Sequence, residues 1–382
     1  MTGKKYTPNG RFKTENKLLA GLQILNSVTA GLEEKLQDSV SLEKTKSSVH
    51  RILHSLYNLF RSLLFDITLM EVTDYSNACK MAADYVKSKL DQDFVPKIGI
   101  VCGSAMQAIS DLIKEERKEI LFAEIPSFVQ NTVMKKSPSK LIFGIIEDTP
   151  VVALMNPCKY YEGYSLRDIT IPIRVMNLLG VSIIIMTNAS ASINPEFKIG
   201  DIGIITDHIS FPSISGLNPL IGPNYSTMGP RVLSLSDAYS FRLSKLAFKL
   251  WLESPELNKR KVNLKECTYF YSVGPTFETR AECEAIHTLG GDVLGCSMVP
   301  EVQVSRHCNL EVVCITLVTT TAYDYKKVSP KQAALREHSG ASPTISDSYN
   351  SSDASEIHTN TRIGMSRPAD VCTLVRLLIK EL

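Results

Sequence analysis

Apolar and polar positions follow two different textures along the chain. Between Thr14 and Glu71 helix formers dominate, proline is absent and a polar break runs from Asp38 to Ser48, so the pattern predicts two helices, Thr14 to Leu36 and Leu42 to Glu71. In the second, Ile52, Leu56, Leu59, Phe60, Leu63, Leu64 and Ile67 recur at helical spacing and make one apolar face. His54, Arg61 and Asp66 interrupt that run, so it does not read as a membrane span. Two readings stay open: a hairpin covering part of the main body, or an arm for oligomerisation or partner binding.

From Asp74 onward, short apolar runs alternate with helical stretches, the texture of a mostly parallel sheet with helices on both sides. Asp74 to Leu90 reads as a helix and Lys97 to Cys102 as a strand. Leu141 to Ile146 and Val151 to Met155 read as a hairpin around Glu147–Pro150. Ile173 to Leu179 is a helix feeding the strand Val181 to Met186, and Asp201 to Thr206 is a further strand. Ser236 to Leu252 is an amphipathic helix, Cys267 to Val273 a strand, Ala281 to Leu289 a helix and Glu311 to Thr319 a last strand. After Lys327 the pattern fades, and His338–Ser355 is polar enough to be a linker. Pro368 to Leu382 resumes a helical pattern through Val371, Leu374, Val375, Leu378 and Ile379, suited to docking back on the domain. The expected fold class is α/β: a single three-layer domain with a mixed, mostly parallel twisted sheet flanked by helices, plus an N-terminal helical extension. The expected boundaries are 1–73 for the extension, 74–327 for the α/β domain, and 328–382 for a tail with a Ser-rich linker, 338–355, and a C-terminal helix, 368–382.

Composition narrows the classes of function. Lys plus Arg number 42 against 40 Asp plus Glu, a net charge of +2, so nucleic-acid binding by bulk charge is excluded. A hydrophobic share of 44% and a charged share of 21% are those of a soluble globular protein with a sizeable core. The nine cysteines contain no C-x-x-C pair and several lie in apolar runs, which reads as reduced core thiols of an intracellular protein. Lys4, Lys5, Arg11 and Lys13 precede no apolar stretch, so a secretory signal is not expected. The seven histidines form no i, i+4 pair with an acid, so no metal is expected, and His208 and His307 read as packed histidines.

In an open α/β sheet, ligands bind beyond the C-terminal ends of the strands, and four such ends carry chemistry. Gly103-Ser104 offers backbone amides and a hydroxyl to an anion. Thr187–Ser192 is a run of small residues at a strand end, read either as a tight turn or as room for a ligand. In Gly274–Thr279, Phe277 offers a stacking face and Glu278 a carboxylate for a ring N–H, although Glu278 also suits the cap or first turn of the next helix. Gly295–Glu301 places Ser297 before a helix, so Ser104 and Ser297 together make a plausible oxyanion site.

These segments in this order resemble the trimeric purine nucleoside phosphorylase family. The resemblance is carried by IVCGS (100–104), YYEGYSLRDITIPIRV (160–175), LGVSIIIMTNA (179–189), NPEFKIGDI (194–202), ITDHI (205–209), SGLNPLIGPN (215–224), SDAY (236–239), GPTFETRAEC (274–283) and VPEVQVSRHC (299–308). It implies a single α/β domain, a homotrimer or mixed trimer, and reversible attack of phosphate on the anomeric carbon of a purine nucleoside, giving free base and pentose 1-phosphate. No cofactor is implied; inorganic phosphate is the co-substrate. No nucleic-acid or membrane partner is implied, and the location implied is the cytoplasm. By the resemblance Ser104, the Ala189 amide and Ser297 hold phosphate, with Lys159 in a substituted position of that set. Tyr161 touches the sugar, while Ser190, Ala191, Cys296, Phe277, Glu278 and Thr319 line the nucleoside site. Glu278 and, at a substituted position, Thr320 handle the leaving base.

The departures define an altered site. Pro157 and Lys159 stand where the family has a phosphate-binding Arg and a His, and 134–139 lacks a further expected His. Thr320 replaces the Asn that meets the purine, and 188–192 lacks the family's Gly-Gly. Beyond Tyr325 the His expected at the sugar 5′-hydroxyl has no clear counterpart; His338 is the nearest. Proline donates from neither side chain nor backbone, and a lysine ammonium lacks the guanidinium fork. The expectation is a phosphorylase of reduced or altered activity, or a non-catalytic paralogue that binds nucleoside or serves as a scaffold.

Overall fold

The computed structural model describes residues 75–130, 138–322, 329–340 and 367–382. The two helices expected before residue 74 and most of the expected linker lie outside the described residues. The chain divides into two units, Met1–Tyr75 and Ser76–Leu382, and the fold is that of the second.

A helix, α1 (residues 75–87), buries Cys79, Ala82, Ala83 and Val86 at helical spacing. Then come β1 (Ile98–Cys102), β2 (Glu115–Leu121), β3 (Lys140–Ile146), β4 (Thr149–Met155), α2 (Ile171–Leu178), β5 (Ile183–Ser192) and β6 (Ile202–Ile209). The chain continues through α3 (Phe241–Glu253), β7 (Leu264–Tyr271), α4 (Arg280–Thr288), β8 (Val293–Gly295), α5 (Val299–His307), β9 (Glu311–Thr321), α6 (Pro330–His338) and α7 (Pro368–Lys380).

The strands form one sheet in the order β2-β3-β4-β1-β5-β8-β7-β6-β9, with parallel pairings at β1–β4, β1–β5, β5–β9, β6–β7 and β7–β8. This mixed sheet flanked by helices is the expected α/β fold. What the sequence does not show is that β9 also pairs with β5, so β5-β8-β7-β6-β9 closes into a ring. All five residues of β1 are buried, the mark of a central strand covered on both faces. Val371, Leu374, Val375, Leu378 and Ile379 of α7 are buried with Ile98, Ile100 and Leu243 in the main core. Each such side chain contributes about 1.5–3 kcal/mol on burial, so α7 is part of the domain's stability despite its place at the chain end.

Three elements differ from the sequence reading. β2 was not anticipated because its sequence, EERKEIL, buries only Ile120; it is a charged edge strand held by pairing with β3. α6 was missed because it buries no residue and so shows no apolar stripe; the Ser329 side chain accepts from the Gln332 amide at its start. β5 does not stop at Met186. It continues through Ser192, because Ala189–Ser192 stay paired with Leu317–Thr321 of β9 across a bulge at Ser190/Ala191.

Candidate active site

The anion side begins where β1 ends. The Gly103 amide donates to the Thr187 carbonyl at 2.8 Å, and a Cβ at Gly103 would sit 2.7 Å from that oxygen and 3.1 Å from Asn188 Cβ. Only glycine allows this approach, and it leaves Ser104 exposed at the tip of the strand. Lys159, beyond β4, donates from Nζ to Ser104 Oγ at 3.3 Å, while its amide donates to Glu162 Oε1 at 2.8 Å. A hydroxyl and an ammonium separated by 55 residues in sequence thus meet at one point.

Ser297 stands between β8 and α5, and Gly295, two residues before it, packs so closely on the phenol oxygen of Tyr269 on β7 that a Cβ there would collide with it. The same oxygen accepts from Asn188 Nδ2 at 3.1 Å. Tyr269 is fully buried, and burial raises its pKa well above the usual phenol value, first through desolvation and then through the nearby Cys296. Glu301, on the first turn of α5, is 3% exposed; burial raises its pKa, against which the amides of Glu301 and Met298 and the charge of Lys159 act in the other direction.

The sugar side gathers Tyr161, Gly274 and Cys296. A Cβ at Gly274 would lie 3.1 Å from Tyr161 Cδ1 and 3.5 Å from Cys296 Cβ, so glycine at this positive-φ position lets the two approach. Burial, then Cys296 and Glu162, raises the Tyr161 pKa, so its phenol stays a neutral donor near pH 7. Cys296 is half-buried, whereas the other eight cysteines are buried.

The adjoining pocket is lined by Ala191, Phe277, Glu278, Cys283, Leu294, Thr320, Thr321 and Ala322. Strand period decides which residues face it. Along β5 Ala189 and Ala191 turn to the half-buried face and Asn188, Ser190 and Ser192 to the buried one. Thr279, not Glu278, caps α4: its Oγ1 accepts from the Glu282 amide at 3.3 Å, and its own amide donates to Glu282 Oε2 at 2.6 Å. Glu278 is thereby left outside the helix, with its side chain available to the pocket. Phe277 lines the same pocket with 79% of its surface exposed.

The structure therefore joins Ser104 to Lys159, Tyr161 to Cys296, and Ala191 to Phe277, Glu278 and Thr320. It turns two expected residues elsewhere. The Ser190 hydroxyl accepts from Thr316 Oγ1 at 2.8 Å, and the Thr319 hydroxyl donates to the Ser190 carbonyl at 3.4 Å, so both are spent between β5 and β9. Sequence reasoning missed Cys283, Leu294, Thr321 and Ala322 in the pocket and Tyr269 against Asn188. Cys283 follows Thr279 by one helical turn and so had a signal; Tyr269 reads simply as an apolar strand residue. His307 is buried, as expected, with Nδ1 3.2 Å from Arg174 Nη1 and Nε2 3.1 Å from Asn224 Oδ1. His208 is only half-buried, its Nδ1 2.9 Å from the Tyr239 hydroxyl. Among the described residues no His, Cys, Asp and Glu cluster suits a metal, and no helix is long and apolar enough to cross a membrane.

A nine-stranded sheet with a closed ring, and small residues with hydroxyls gathered at its strand ends, define the class. The phosphorylase superfamily model matches residues 97–342. Over 237 residues the chain is 39% identical to the purine nucleoside phosphorylase of Mus musculus, covering 62% of this chain and 80% of the mouse protein. Among solved structures, the purine nucleoside phosphorylase of Schistosoma mansoni in complex with inosine aligns with a TM-score of 0.67 at 32% identity, covering 80% of this chain and 96% of that one. Isoform 2 from the same organism, in complex with cytosine and ribose-1-phosphate, aligns with a TM-score of 0.66 at 32% identity over the same shares. The chain belongs to the purine nucleoside phosphorylase family of pentosyltransferases.

Proposed function

We propose that the chain transfers the pentose of purine ribo- or deoxyribonucleosides to inorganic phosphate, with a phosphate site rebuilt around Lys159. The observation that carries this reading is the 3.3 Å contact between Lys159 Nζ and Ser104 Oγ, which keeps a cation beside the anion site although Pro157 cannot donate. Ser104, the Ala189 amide, Ser297 and Lys159 hold phosphate against the sugar, and Tyr161 touches the pentose. A phosphate oxygen forms its bond to the anomeric carbon as the glycosidic C–N bond breaks. The electron pair goes to the purine, which is bound by Phe277, Glu278 and the Thr320 hydroxyl and takes up a proton from water. No cofactor enters the step.

A single lysine makes this a slower enzyme than one with an arginine fork. One missing charge-assisted hydrogen bond costs about 1.5–3 kcal/mol, about 10- to 150-fold in the step that uses it. The protein works in this reading as a trimer in the cytoplasm; exposed Phe211, Ile214, Ile221 and Val232 supply apolar surface for contacts between copies. The last helix, α7, joins the core in the same reading.

Incubation of the purified chain with inosine or guanosine tests this, following free base with and without phosphate. Phosphate-dependent release is expected. Nucleoside binding by calorimetry with no release above background instead selects the second reading, a non-catalytic nucleoside-binding or scaffold subunit, which Pro157 and Thr320 favour.

A further inference from the structure

Backbone conformation singles out two residues beside the anion site. Among the described residues, nine other than glycine have a positive φ. Seven of these are Glu, Ser, Asp, Asn or Lys. The two apolar ones are Ala105, at φ 69°, and Met298, at φ 80°. Each directly follows a serine assigned to phosphate, Ser104 or Ser297, and both are buried. Hydrogen bonds close the two turns. The Met106 amide donates to the Gly103 carbonyl at 3.2 Å around Ala105, and the Val299 amide donates to the Ser297 carbonyl at 3.1 Å around Met298. With φ 80° and ψ −48° at its centre, the second is a γ-turn of the rare, strained hand.

We propose that Ala105 and Met298 are positioning residues of the phosphate site, whose left-handed backbone turns the chain directly after each serine and so sets where its hydroxyl points. This rests on the assignment of Ser104 and Ser297 to phosphate under the proposed function. A residue with a Cβ is strained at positive φ and keeps that conformation only where its surroundings over-determine it. Both sites meet that condition. The Gly103 amide is tied to the Thr187 carbonyl at 2.8 Å, Ala105 is packed in the main core, and the Met298 carbonyl accepts from the Val302 amide at 2.8 Å. The γ-turn also decides which donors remain for an anion at the start of α5. Val299 uses its amide within the turn and Pro300 has none, so recognition there falls to Ser297 itself. On the other side, the turn through Ala105 leaves Ser104 exposed at the tip of β1, with its Oγ 3.3 Å from Lys159 Nζ. Two rigid turns thus fix the spacing of the hydroxyls before the anion arrives, the condition for tight binding by donors on separate segments.

The test is isothermal titration of the full chain with inorganic phosphate and, separately, with inosine, alongside thermal melting. Met298→Val and Ala105→Val each place a β-branched residue where φ is positive, a conformation it resists. In both, the dissociation constant for phosphate is expected to rise about tenfold while that for inosine stays within about twofold. Glycine adopts the same turn without strain, so Met298→Gly and Ala105→Gly are the conservative variants and are expected to hold phosphate within about twofold of wild type. Met298→Gly is also expected to melt above Met298→Ala, the reverse of the order at an ordinary position, where glycine is the weaker residue. The glycine and alanine variants give the answer if a valine variant does not fold. A glycine variant that loses phosphate about tenfold or a Met298→Gly that melts below Met298→Ala overturns the proposal. So does a folded valine variant with wild-type phosphate affinity, equal weakening of phosphate and inosine, or a wild-type chain that binds no phosphate. A wild-type chain that binds phosphate but releases no base refutes the phosphorolysis reading alone, and the titrations still decide the role of the two turns.

Discussion

Lys159 is the residue on which phosphate chemistry turns in this chain. Its ammonium reaches Ser104 Oγ at 3.3 Å, and its charge also acts on the buried Glu301. A lysine is a compact point charge on a flexible stem and gives up the bidentate geometry of an arginine. Lys159→Ala is expected to weaken phosphate about 10- to 150-fold and leave nucleoside binding nearly unchanged, as measured by KM for phosphate against nucleoside affinity. The opposite experiment rebuilds the family pattern: Pro157→Arg, Lys159→His and Thr320→Asn together are expected to raise kcat/KM at least tenfold, and unchanged turnover would show that these three positions are not the altered part of the site.

At the scale of the element, α7 offers the clearest energetic prediction. Leu374 and Leu378 are essentially fully buried against the main core, so Leu378→Ala is expected to cost about 2–5 kcal/mol in denaturant unfolding. Their spacing in the sequence already shows this helix, as alternating runs show β1, β3 and β4. Elements lacking that contrast were not legible: β2 is charged and at an edge, α6 buries nothing, and Ala189–Ser192 look like a turn because small residues carry no strand signal. The site divides in the same manner. Motif residues at strand ends mark Ser104, Phe277 and Glu278, but which hydroxyls face the pocket is decided by pairing, and the β5–β9 bulge turns Ser190 toward Thr316 while Ala191 faces the pocket.

For the molecule as a whole, the buried pair of Arg174 and His307 sets a pH response. Burial first, then the Arg174 charge, pushes the His307 pKa down to about 4, from an ordinary value of 6.5. The unfolded chain therefore takes up a proton at this histidine below about 6.5 that the folded chain resists until about 4, so this group's contribution to stability is full above that window and is lost as pH falls through it. The melting temperature is expected to drop between pH 6.5 and 4, and His307→Gln to flatten that part of the slope. A near-balanced charge of +2 fits the same picture at molecular scale: recognition of an anion here is local, built from a few converging donors.

The most direct test of that local recognition is the rate of base release from inosine as a function of phosphate concentration, measured for the full chain and for Lys159→Ala side by side. The wild-type rate is expected to depend on phosphate and to saturate, with the variant needing about 10- to 150-fold more phosphate to reach half its maximum. Release that ignores phosphate, no release at all, or identical phosphate curves for the two proteins would contradict a phosphorylase built around Lys159.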